Sequence, residues 1–170
     1  MMRKFLLVAT MAEALTVAAA PPTGAATTAT FTLTAGALSI SAPTGIVSLG
    51  SQVASTGVST ISGSLGVVTV TDQRGGTTVW TASVISTAFT PTAGPADPAS
   101  NVSYGAGVVA VTPTVVATVL AASDLTGVTT VVTGASTGIS TASWSPTISV
   151  VVPANYAPGV YSATITHSVA

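Results

Sequence analysis

From Thr30 to the last residue the chain is a succession of short β-branched runs interrupted by Gly, Pro, Ser and Asn. Valine, isoleucine and threonine lose side-chain freedom in a helix and pack well on a pleated surface, so such runs favour strands. Turn-forming residues every few positions then imply many short strands, the pattern of a sandwich or barrel, and helical periodicity is weak throughout. The expected fold is all-β: an antiparallel β-sandwich, Ig-like or a sandwich-like barrel. Thr-rich alternation also suits a β-solenoid or an ice-binding array of threonines, but no constant repeat period runs along the chain, which favours the sandwich.

Several strands can be placed. Residues 30–34 and 38–41 alternate apolar and polar, with Ala35-Gly36 between them as a turn or bulge. Residues 65–71 and 78–86 are expected to form a hairpin through Asp72-Gln73-Arg74-Gly75-Gly76, the two glycines supplying positive φ. On the return strand Trp80, Ala82 and Val84 share one face, which makes Trp80 a core anchor. Residues 90–101, with Pro91, Gly94, Pro95, Asp97 and Pro98, are expected to form a long exposed loop. Residues 115–120 fit a strand or one short helix equally well, and residues 134–138 read as a small-residue loop. Ile148, Val150 and Val152 mark a buried strand that Pro153 ends. In the final strand, residues 160–169, Tyr161, Ala163, Ile165, His167 and Val169 share a face, so the single histidine points into an apolar surface.

The first residues, Met1-Met2-Arg3-Lys4 followed by an apolar run to Ala20, have the order of a secretory signal peptide. A signal-peptide helix over residues 1–26 is expected, with cleavage after Gly24-Ala25-Ala26, leaving a single domain over residues 27–170. Ala18-Ala19-Ala20 is a second A-x-A site but would leave Pro21 first. A stable membrane span is disfavoured, because the run is marginally long and carries Glu13 in its middle. Nothing toward Ala170 resembles a sorting motif or a second apolar span, so any retention at a surface is expected to be noncovalent.

Charge narrows the function. Only 4% of residues are charged, against about 25% in an ordinary soluble domain. Without Arg3, Lys4 and Glu13, the leader's charges, one basic residue (Arg74) and three acidic ones (Asp72, Asp97, Asp124) remain, a net charge of −2. A lone arginine makes no basic patch, which argues against nucleic acid and anionic lipid as partners. A mature chain free of lysine disfavours Lys–Asn isopeptide or pilin-type crosslinks. With no cysteine, there is neither a disulfide framework nor a thiolate metal site, and packing must hold the fold.

The chemistry-bearing residues are few. Three separated aspartates and no glutamate beyond the leader do not form a paired-carboxylate site or an EF-hand, and turn chemistry accounts for each. A Ser–His–Asp arrangement through His167 lacks a Gly-x-Ser-x-Gly elbow. No catalytic residue, cofactor or metal is therefore expected, and the chain is read as non-enzymatic. Asp72-Gln73-Arg74 is expected to make a local ion pair or Asx-turn worth about 1 kcal/mol or less if exposed. Asn101-Val102-Ser103 matches a glycosylation sequon of little force. Aromatic residues can stack on sugars but in strands are more often core; Tyr104, beside the long loop, and Tyr156, in the turn between Pro153 and Pro158, are the candidates for ligand contact.

The stretch Val67-Val68-Thr69-Val70-Thr71-Asp72-Gln73-Arg74-Gly75-Gly76, leading to Trp80-Thr81-Ala82 and Phe89, resembles the first signature of the WxL cell-surface domain. The end, from Pro153-Ala154 through Pro158-Gly159-Val160-Tyr161 to His167-Ser168-Val169, resembles that family's closing strand. Both Trp-x-Leu motifs are degenerate: Ala82 stands at the first leucine, and His167-Ser168-Val169 at the second motif. The resemblance implies noncovalent attachment to a bacterial cell wall through peptidoglycan, and it nominates Trp80 and His167 as contacts beside Tyr104 and Tyr156. Wall polymer or other surface proteins are the expected partners. The alternative is a self-assembling subunit of a surface layer or fibre, since a nearly uncharged β protein has little protection against edge-to-edge association.

Overall fold

The computed structural model describes residues 23–170, residue 113 excepted. Most of the expected leader lies outside the described residues. The chain divides into a unit ending at Leu33 and a compact unit, Thr34–Ala170, which carries every strand among the described residues. These are β1 (Leu38–Ser41), β2 (Ser59–Ser64), β3 (Val68–Asp72), β4 (Thr78–Ser86), β5 (Thr90–Pro91), β6 (Val102–Gly105) and β7 (Ala110–Val111). They are followed by β8 (Val115–Val119), β9 (Thr129–Ser136), β10 (Ser140–Trp144), β11 (Thr147–Val152), β12 (Tyr161–Ser162) and β13 (Ile165–Val169). All pairings are antiparallel. The expected all-β sandwich is the fold, and among the described residues no helix is long and apolar enough to cross a membrane.

Two layers emerge from the strand order. β1-β3-β10-β7 and β2-β11-β6 run through the same chain segments in the same order, since β2 leads into β3, β10 into β11 and β6 into β7. They are two halves of one bent sheet, sheet I. The bend falls at Gly66 (φ +91°), Pro146 and Gly107 (φ +68°), and the Leu65 amide donates to the Pro146 carbonyl across it at 3.0 Å. A left-handed φ turns the strand at two crossings without Cβ strain, and proline interrupts the ladder at the third. Sheet II is β13-β4-β9-β8, extended by the β12–β5 pair beyond β13 and β4. At one side of the sandwich β1 lies beside β13, and at the other β7 lies beside β8.

The core fills from both layers. Val68, Val70, Val102, Tyr104, Ala142, Trp144, Ile148 and Val150 of sheet I meet Trp80, Ala82, Val84, Val115 and Val132 of sheet II, with Leu125 entering from the loop after β8. Each fully buried aliphatic side chain contributes about 1.5–3 kcal/mol before entropic costs. A bulge opposite Ala82 and Ser83 inserts one extra residue in β9, which is how the consecutive residues Val131 and Val132 are both buried.

The expected hairpin between residues 65–71 and 78–86 does not form. Both strands exist, and Trp80, Ala82 and Val84 share the buried face as expected, but β3 pairs with β1 and β10 while β4 pairs with β13 and β9. The connection arches from one sheet to the other, so the apolar faces of β3 and β4 meet across the core instead of lying side by side. Gly75 and Gly76 do take positive φ, +71° and +68°.

Other expectations need correction. Residues 30–34 form no strand, whereas 38–41 do. The 90–101 segment is tied down: Phe89 and Asp97 exchange backbone bonds of 2.8 and 2.9 Å, Thr90–Pro91 pairs with β12, a 3-10 turn spans Ala99–Asn101, and Asp97 is buried. Residues 115–119 are a strand. The 134–138 loop shrinks to the turn after Ser136, because Gly134, Ala135 and Ser136 belong to β9. The last strand keeps its alternation, with His167 inward, but breaks at Ala163-Thr164 into β12 and β13.

Candidate functional site

Three side chains form a hydrogen-bonded chain across the sandwich. Trp144 on β10 donates from Nε1 to the Tyr104 hydroxyl on β6 at 2.8 Å, and that hydroxyl lies 3.1 Å from His167 Nε2 on β13. The Tyr104 and His167 rings meet edge to face at 5.6 Å. Indole nitrogen is a donor only, so the tyrosine oxygen accepts from it and its own proton points at a neutral His167 Nε2; this tautomer is assigned from the network. Burial pushes the Tyr104 hydroxyl up to about 12, against a smaller opposite pull from the Trp144 bond, and burial lowers His167. Both groups are thereby held neutral, joining sheet I to sheet II.

Trp80 is 2% exposed and its indole lies over Gly134, its direct partner on β9. Its Nε1 has no hydrogen-bond partner among the described residues, so its place in the core rests on packing. Tyr104 is also 2% exposed, so its ring is buried in the core instead of lying at the surface beside the 90–101 segment. Both rings lie in the core, and His167 is half-buried and turned to Tyr104. Tyr156 is likewise partly exposed: its hydroxyl donates to the Ala96 carbonyl at 3.4 Å, and its ring lies 6.0 Å from the Tyr161 ring. Of the four residues singled out in the sequence, the fold brings together Tyr104 and His167 and leaves Trp80 and Tyr156 apart.

Asp72 makes both the local ion pair and the Asx-turn expected of Asp72-Gln73-Arg74, and what the sequence did not show is the burial of its carboxylate. Its carboxylate is fully buried where β3 crosses to β4, accepting from Arg74 Nε and Nη2 at 2.9 Å each, from the Arg74 amide at 3.1 Å and from Thr78 Oγ1 at 2.7 Å. The guanidinium holds the carboxyl well below the usual range, and Arg74 also donates to the Val79 carbonyl at 2.9 Å. The ion pair fastens the arch with its carboxylate buried and its guanidinium partly exposed. Asp97, whose carboxyl burial raises, accepts from Asn101 Nδ2 at 2.6 Å. Asp124 caps its own turn through the Thr126 amide and hydroxyl. Asp72 and Asp124 hold backbone amides and Asp97 holds the Asn101 side chain, and among the described residues no three His, Cys, Asp or Glu side chains cluster as metal ligands.

The surface feature missed in the sequence is the outer face of sheet II. Register places Thr81, Thr133 and Thr118 in one row across β4, β9 and β8, and Ser168, Ser83 and Thr130 in another across β13, β4 and β9. A third row is apolar: Val79, Ala135 and Val116, all exposed. No charged side chain lies on these strands. Neighbouring strands lie about 4.8 Å apart, so the hydroxyls form a lattice of donors and acceptors beside an apolar stripe. Alternation in single strands signals such a face, but only the pairing aligns the rows. No protein family, curated protein or solved structure matches this chain.

Proposed function

We propose that the protein is a secreted, non-catalytic cell-surface module that attaches noncovalently to the bacterial cell wall, with peptidoglycan as ligand and the outer face of sheet II as contact surface. The observation that carries this reading is the pair of hydroxyl rows beside the Val79–Ala135–Val116 stripe. Glycan strands and their peptide stems offer hydroxyl and amide partners and small apolar faces, which such a surface complements without fixed charge. The resemblance of residues 67–89 and 153–169 to the WxL domain supports the same ligand. Trp80 and His167 then act from within, by holding the sheet whose outer side makes contact.

Replacing Thr81, Thr118 and Thr133 together by valine keeps shape and β-propensity while deleting one row of hydroxyls. Pelleting with purified sacculi should fall in this variant and stay unchanged in Thr141→Val, whose side chain is exposed on sheet I. Equal pelleting of both variants and the parent would remove sheet II as the contact face.

A further inference from the structure

Residues 30–34, Thr-Phe-Thr-Leu-Thr, carry the alternation of a half-buried strand, yet among the described residues they pair with nothing. Phe31 and Leu33 are 92% and 90% exposed. Two large apolar side chains on one face of this β-patterned segment leave both the face and its backbone groups without partners among the described residues.

A matching vacancy lies on sheet II. Among the described residues β8 pairs with β9 on one side only. The bonds from Thr137 to the Thr114 carbonyl and from the Leu120 amide to the Val131 carbonyl set the parity of that ladder. Residues of even number bond to β9, so the amides and carbonyls of Ala117 and Val119 point to the open side. Val111, Val119 and Leu120, 43%, 45% and 39% exposed, border this seam between β7 and β8. No charged residue occurs from 21 to 71 or from 98 to 123, so neither the segment nor the edge carries the charges that normally block strand addition.

The segment cannot readily fill the seam of its own molecule. β1 and β8 occupy diagonally opposite corners of the sandwich, three strand spacings and one sheet spacing apart, or roughly 17 Å. Residues 34–37, between the segment and β1, span at most about 14 Å. We propose that residues 30–34 of one molecule add as a strand to the β8 edge of a second copy of this chain, with Phe31 and Leu33 entering the seam beside Val111, Val119 and Leu120. Because segment and edge are different surfaces, the contact is heterologous and repeats head to tail, giving open chains of molecules. This assembly does not depend on wall binding by the outer face of sheet II.

The test uses the chain from residue 27 to 170, which contains the whole compact unit, in sedimentation velocity over a concentration series. The parent chain should form a ladder of oligomers. Phe31→Asp/Leu33→Asp, at positions already in water, and Val119→Lys, at the edge, should each abolish species larger than the monomer while leaving the circular dichroism spectrum unchanged. Mixed in equal amounts, the two variants should form a dimer and nothing larger, because one supplies an intact edge and the other an intact segment. A monomeric parent at every concentration, oligomers that survive both variants, or a mixture that stays monomeric would overturn the proposal.

Discussion

Gly134 faces Trp80 across the β4–β9 ladder, and a Cβ built on it would stand 2.2 Å from indole Cε2 and Cζ2 and 2.6 Å from Nε1. Carbon atoms meet favourably at about 3.5–4.0 Å, so the added methyl overlaps the ring by more than about 1 Å. The indole has no room to withdraw, being 2% exposed among packed core residues, and β9 is held by β4 and β8 on its two sides. Overpacking a close-fitted core costs about 1–3 kcal/mol, and a clash with a rigid ring between two paired strands belongs at or above the upper end. Gly134→Ala should therefore destabilise by about 3 kcal/mol, moving a urea midpoint by about 1 M or more. Equilibrium unfolding followed by fluorescence reads the change, with Trp144 present in every variant. In a Trp80→Leu background the shorter side chain leaves space, and the cost of Gly134→Ala should drop to about 1 kcal/mol or less. If Gly134→Ala is neutral in the parent, or costs the same in both backgrounds, the ring does not lie on this glycine.

The Asp72 carboxyl is lowered in the folded state, so its contribution is present above the unfolded value near 3.8 and is lost as pH falls below it. About 2–3 kcal/mol should disappear on acidification, and Asp72→Asn should lose about the same at pH 7 and show no such acid slope in pH-resolved denaturation. Tyr104→Phe leaves the buried Trp144 Nε1 without its acceptor and should cost about 1–3 kcal/mol in the same assay. His167 is lowered by burial, so stability should be full above its ordinary value of 6.5 and decline as pH falls below it; His167→Gln should flatten that step.

The inward faces of β4, β11 and β13 were legible because strand alternation survives in any pairing: Trp80, Ile148 and His167 point where period two puts them. The pairing itself was not. Asp72-Gln73-Arg74-Gly75-Gly76 has the composition of a hairpin turn, but a connection of that length serves equally to cross between sheets, and the choice depends on what β1, β10, β13 and β9 offer to the edges of β3 and β4. For the same reason the Asp72–Arg74 pair was legible in the sequence but the burial of its carboxylate by the arch was not. Tyr104 read as exposed because it follows a loop rich in proline and glycine. Its burial comes from the distant residues Trp144 and His167, brought to it by the sandwich. The hydroxyl rows of sheet II depend on register between four strands, which no single segment encodes.

Wall attachment through a face without charge is tested most directly by sedimenting the chain from residue 27 to 170 with purified sacculi at low and high salt. Ionic contacts over a debye length weaken steeply with salt, whereas hydrogen bonds and apolar contacts persist. Pelleting that requires sacculi and is equal at both salt concentrations is the expected result. A chain that stays in the supernatant, or that leaves the sacculi at modest salt, would contradict attachment by this face.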